Sequence, residues 1–146
     1  LLLHYAARFQ HLEDTVLPAL LTGTVVICDR FEISSYSYQV SGHGGSKELF
    51  LKMHEEVIKK LRTVDAVYSY VHCELNPEEA RARMDADKVR AGLDVHDSLP
   101  SEFHLRVEEG VREAKQYIDP LFEHYTIETS QTPEQLVLEL RQMLDL

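Results

Sequence analysis

Cysteine, basic charge and long apolar runs are all scarce in this chain, and each scarcity closes off a class of protein. Cys28 and Cys73 are the only cysteines; two thiols build no disulfide framework and point to a reducing compartment, with the cytoplasm as the default. Lysine and arginine number 15 against 25 aspartates and glutamates, a net charge of −10. An acidic surface of that size repels nucleic acid and anionic membranes, so neither is expected as a partner. Any phosphate-bearing ligand must then be held by a few local cations. The apolar block Leu1-Leu2-Leu3 runs straight into His4 and Arg8, too short for a signal peptide or a membrane span. No initiator methionine opens the chain, and the expectation is a segment of a longer protein. What is present, 44% hydrophobic and 27% charged over 146 residues, suffices for one globular domain with an ordinary core.

Periodicity supplies the elements. Leu2, Tyr5, Phe9, Leu12, Val16 and Leu20 recur at helical spacing; Pro18 should kink or restart that helix, and Gly23 suits the left-handed position that ends it. Val25 to Cys28 reads as a buried strand. After Asp29-Arg30 comes a polar stretch ending in Gly42-His43-Gly44-Gly45-Ser46, read as a substrate-facing loop. A second helix carries Leu49 or Phe50, Met53, Val57 and Leu61, with Ser46 as its cap. Ala66 to Val71 reads as a strand, Asn76-Pro77-Glu78-Glu79 as a helix start, and the charge-dense Arg81 to Asp97 as a flap. Phe103, Val107, Val111, Ala114 and Ile118 mark a long helix and Tyr125 to Glu128 a last strand. Thr132-Pro133-Glu134-Gln135 opens a terminal helix with the stripe Leu136, Leu140 and Met143 or Leu144. This order implies an α/β layered fold whose parallel strands are joined by right-handed crossovers.

In open α/β sheets ligands bind outside the carboxyl ends of the strands. Asp29-Arg30 directly follows Val25-Val26-Ile27-Cys28, so an acid and a guanidinium stand where a phosphorylated substrate would be met. The planar fork of an arginine suits a phosphate. His72-Cys73-Glu74 is one adjacent cluster without a second, and His4 and His11 lie two helical turns apart; no protein metal site is expected from either.

Several segments in register carry a family resemblance: Leu2-Leu3-His4-Tyr5-Ala6-Ala7-Arg8, Leu17-Pro18-Ala19-Leu20, Gly23, Val26-Ile27-Cys28-Asp29-Arg30 and Ser34-Ser35-Tyr36-Ser37-Tyr38-Gln39. Glu102 to Gly110 and Thr129-Ser130 continue it. Together they resemble bacterial-type thymidylate kinases over nearly the whole chain. The resemblance implies a three-layer P-loop NTPase-like fold, a parallel sheet flanked by helices and incomplete at the N-terminus, forming a single partial nucleoside monophosphate kinase domain over residues 1–146 with a lid at 81–98. It implies phosphoryl transfer from ATP to dTMP, giving dTDP, with Mg²⁺ bridging the nucleotides, in a cytoplasmic homodimer. Catalysis in such a reaction is mostly positioning and cationic stabilisation. On the family's pattern Arg30 grips the acceptor phosphate, and Asp29 orients that fork or a metal-bound water. Arg8 faces the thymine base, Ser35 and Tyr38 line deoxyribose and base, and Gln39 stands beside them. Lid cations are drawn from Arg83, Lys88 and Arg90.

The departures are specific. His4 stands where the family stacks a phenylalanine on thymine, Val40 and Ser41 replace a glycine run, His43 replaces an arginine, and Asp94-Val95 stands where the lid has Asp-Arg. No G-x-x-x-x-G-K-[ST] occurs, since Gly42 to Lys47 has neither the spacing nor a preceding strand. The 146 residues alone are therefore expected to bind ATP poorly and turn over nothing. A kinase for another deoxynucleotide or a deoxynucleoside, and a noncatalytic nucleotide-binding remnant, stay open beside the thymidylate kinase reading.

Overall fold

A computed structural model describes the chain apart from residues 77, 80, 81, 84, 85, 87–98, 119 and 146. Two compact units emerge, each built from two stretches: residues 1–67 with 99–121, and residues 68–98 with 122–146.

The first unit is helical. It opens with α1 (Leu2–His11), which loosens into a π-helical turn at Leu12–Val16 and resumes as α2 (Leu17–Leu21). Pro18 sits in the first turn of the resumed helix, where its missing N–H costs least. Tyr5, Leu12 and Val16 are the buried face. Gly23 ends the run as expected, in the left-handed region at φ 74° with its N–H bonded to the Leu20 carbonyl at 2.9 Å.

Two expectations fail next. Val25 to Cys28 is not a strand: the segment is irregular, with Val25 60% and Ile27 88% exposed. A strand exists through its hydrogen-bonded neighbour, and among the described residues no strand lies beside this β-branched run. The polar stretch after Arg30 is not a loop either. It forms α3 (Glu32–Ser34), which continues as a π-helix over Ser35–Gly42, and only His43 to Gly45 remain as the turn into α4 (Lys47–Leu61). Ser46 caps α4, its side chain accepting from the Leu49 N–H at 3.1 Å.

The π-helix is a core element because α5 (Ser101–Ala114) packs tightly onto it. The two meet through reciprocal glycines. A Cβ on Gly110 would lie 2.5 Å from Ser41 Oγ and 2.8 Å from Ser37 Cα, and one on Gly42 would lie 2.7 Å from the Phe103 ring. Phe103, Val107, Gly110 and Ala114 form the buried stripe of α5, close to the expected one.

In the second unit β1 (Tyr68–Glu74) pairs in parallel with β2 (Phe122–Glu128), in a register running from Tyr68 opposite Phe122 to Glu74 opposite Glu128. Strand type and order match the reading, but β1 is shifted by two to three residues and β2 begins three residues earlier. The Asn76 side chain accepts from the Glu78 N–H at 2.9 Å, as a cap should. The terminal helix α6 (Pro133–Met143) carries the full capping box: Thr132 accepts from the Gln135 N–H and Gln135 reaches back to the Thr132 N–H. None of its residues is buried.

Gly110→Ala should separate two opposing effects. Alanine gains up to about 1 kcal/mol of helix propensity, while forcing a methyl against the Ser37 backbone costs about 1 to 3 kcal/mol. Overpacking should win, lowering the urea midpoint; a more stable variant would disprove the close helix contact.

Candidate functional site

The first unit is organised around a charge. Glu32 is completely buried, yet partners from three directions satisfy its carboxylate. Oε1 is paired with Arg8 Nη1, while Oε2 accepts from the Tyr5 hydroxyl at 3.3 Å and from His54 Nδ1 at 2.6 Å. A buried acid without such partners would cost several kcal/mol. Arg8 is held further by a bond from Nη2 to the Phe31 carbonyl at 3.1 Å, with its guanidinium over the Phe31 ring at 4.7 Å and near the Tyr5 ring at 5.3 Å. Arg8 also acts on Cys28: desolvation pushes that thiol up, and the arginine's charge pulls against it.

Sequence reasoning missed Glu32 and His54. The available signals were slight: an acid inside the run Phe31-Glu32-Ile33, and a histidine at i+4 from Phe50 on the apolar stripe of α4.

Arg30 sits at the turn before α3 with φ 63°, the left-handed region that costs a residue bearing a Cβ about 1 to 2 kcal/mol. Its side chain is exposed and lies over the Tyr38 ring at 5.4 Å. Among the described residues it pairs with no carboxylate, Asp29 included. Tyr38 projects from the π-helix, a form often found where a helix must re-aim a side chain at a functional site. Beyond it Phe103 makes an edge contact at 6.3 Å, and His43 lies 4.9 Å from Phe103. Arg106 donates twice to the Gly42 carbonyl, at 3.2 and 3.0 Å. Arg30, Tyr38, His43 and Arg106 are thus linked through the buried Phe103 ring.

The other expected site residues are dispersed. His4 is exposed on α1, one turn before Arg8 and on the same face. Ser35 is buried within the helix rather than open to a ligand. Gln39 is half-buried, and its carbonyl accepts from the Gly45 N–H at 2.9 Å, closing the turn. Arg83, in the second unit, is bonded to Glu79 at 2.7 Å and to the Thr129 carbonyl at 2.9 Å. Lys88, Arg90 and most of the 81–98 lid lie outside the described residues. His72 meets His124, ring nitrogen to ring nitrogen at 2.9 Å. The cavity found in the first unit, of about 410 Å³, is lined by Leu51, His54, Ile58, Arg62, Tyr117 and Ile118 among others. None of the residues expected in the site lines it, and the surface around Arg30 is open.

A second electrostatic cluster anchors the start of α4. Lys47 Nζ lies 3.8 Å from the centre of the Tyr117 ring and 3.0 Å from Glu113 Oε1. The Tyr117 and Glu113 contacts hold the lysine above its ordinary range, and Lys47 first and Tyr36 second hold Glu113 below its own. The buried Tyr36 hydroxyl is pushed up to about 12, first by desolvation and then by its hydrogen bond to Glu113.

An α/β protein with parallel strands and a cationic turn closing on a tyrosine is the class these features define. A family profile described as thymidylate kinase matches residues 1–137. The thymidylate kinase of Bacillus cereus is 33% identical over 149 aligned positions, covering 99% of this chain and 66% of its own. That of Pseudomonas fluorescens is 36% identical over 110 positions, covering 75% and 52%. That of Teredinibacter turnerae is 42% identical over 88, covering 60% and 43%. The chain belongs to the thymidylate kinase family. It spans about half the length of most of the curated relatives it matches.

Because Tyr36 titrates near 12 folded and near 10 when unfolded, its stabilisation is whole below pH 10 and is lost as pH rises through 12. Between pH 9 and pH 11.5, urea unfolding should show a stability loss larger in the wild type than in Tyr36→Phe by about 2 kcal/mol. Equal losses would remove Tyr36 as the source.

Proposed function

We propose that the protein transfers a phosphoryl group from ATP to dTMP, giving dTDP, and that this chain builds the acceptor side of the site. The observation that carries the reading is the unlike state of two neighbouring guanidiniums. Arg30, exposed and pairing with no carboxylate among the described residues, keeps its full charge and fork for the acceptor phosphate. Arg8, charge-balanced by Glu32, suits an uncharged base. Tyr38 lies against Arg30 and offers a ring wall for the sugar and base. In a chain of net charge −10, an unpaired local cation is what draws a phosphate in.

Mg²⁺ in such sites is held by one or two carboxylates and by the phosphates themselves. Asp29, exposed beside Arg30, fits that donor set; bound there, the ion would neutralise charge on the phosphates. The fold is of the three-layer P-loop NTPase type, of which β1 and β2 are two strands, with the 81–98 segment as its lid and Arg83, Lys88 and Arg90 as lid cations. On this reading the 146 residues alone, in which no G-x-x-x-x-G-K-[ST] occurs, turn over no dTMP. The protein works in the cytoplasm as a homodimer.

Arg30 gives the test. In the complete protein Arg30→Ala should weaken dTMP binding by about 2 to 5 kcal/mol. Arg30→Gly should weaken it equally while leaving stability unchanged or up to about 1 kcal/mol higher, since relief of the left-handed strain outweighs glycine's entropy cost of about 0.5 to 1 kcal/mol. Unchanged dTMP affinity, or a preference for thymidine over dTMP, would remove the acceptor-phosphate role.

A further inference from the structure

We propose that Glu32 is a specificity-determining positioning residue: it dedicates Arg8 to the uncharged carbonyl edge of the acceptor's base and so sets base selectivity from inside the core. This rests on the dTMP kinase reading above. The division of the carboxylate's two oxygens is the first support. Oε1 is given to Arg8, while Oε2 is held by Tyr5 of α1 and His54 of α4. Pinned at both ends, the carboxylate cannot rotate, and the guanidinium it binds is fixed in direction.

The second support is what remains of Arg8. An arginine has five N–H donors. One on Nη1 goes to Glu32 and one on Nη2 to the Phe31 carbonyl, which leaves three, on a side chain still 13% exposed. The Tyr5 and Phe31 rings on either contact set the plane in which those donors lie. Oriented donors without net charge match a base carbonyl such as thymine O4; an incoming phosphate would meet the Glu32 charge as well. Position adds the third support. Glu32 stands two residues beyond Arg30 in the same turn, so one short segment presents the phosphate-binding guanidinium and neutralises the other. Glu32 itself touches no substrate.

Two fragments of the acceptor separate these roles in the complete protein: thymidine, which has the base but no phosphate, and deoxyribose 5-phosphate, which has the phosphate but no base. Glu32→Gln should weaken thymidine binding about tenfold, the size of one lost charge-assisted contact, and leave deoxyribose 5-phosphate binding unchanged or tighter. In an Arg8→Ala background the same substitution should add nothing for thymidine, because its effect passes through that arginine. Thermal melts report whether Glu32→Gln folds. His54→Asn, which removes the shorter of the two contacts to Oε2 but keeps the carboxylate and the Tyr5 contact, should give the same selective loss at smaller size. Equal weakening of both fragments, additive losses with Arg8→Ala, or no loss in either variant overturns the proposal while the kinase reading stands. A wild type that binds neither fragment nor dTMP overturns the kinase reading and this proposal with it.

Discussion

A carboxylate sealed from water is the constraint on which the first unit depends. Burying Glu32 is unfavourable unless Arg8, Tyr5 and His54 all reach it, and those partners lie 22 to 27 residues away along the chain. The opening helix, the turn after Arg30 and the second long helix are thereby tied at one point. Apolar packing of Tyr5, Phe50 and Val57 is tolerant of small shifts; a hydrogen-bonded ion pair is not. The polar network therefore fixes orientation where the hydrophobic core supplies most of the driving force.

From that point the site follows. The same turn places Arg30 in a left-handed backbone and hands the chain to a π-helix, which delivers Tyr38 beneath the guanidinium. Strain at Arg30 and the wide turn of the π-helix are both unfavourable locally, and both occur within a dozen residues. Such features persist where the surroundings over-determine them. Here the surroundings are α5, packed to the limit through Gly110 and Gly42, and the buried acid next door.

What the sequence revealed divides by range. Thr132 with Gln135, Ser46 with Leu49, and Gly23 after Leu20 were legible because each is a contact within three residues, governed by local chemistry. The α5 stripe was legible because one helix face is one period. Val25 to Cys28 was misread because β propensity describes a side-chain preference, whereas a strand needs a neighbour that no local pattern supplies. Ser35 to Gly42 was misread because serines and glycines signal turns when seen alone and signal close packing when another helix lies against them. Of the candidate site residues, Arg30 lies over the Tyr38 ring and Arg8 is tied to Glu32. Glu32 was hidden by the default that charged residues face water, which only distant partners can reverse.

The interleaving of the two units has a consequence for how the protein is made. Residues 68–98 are inserted within the first unit, and 99–121 separate the halves of the second. Because a ribosome releases the chain in order, the π-helix over Ser35–Gly42 must wait for its cover until α5 (Ser101–Ala114) has emerged. Closing so long a loop is slow more than it is unfavourable. The nascent protein thus passes through a stage in which the face that α5 later covers is bare, the stage at which association with other chains competes with folding.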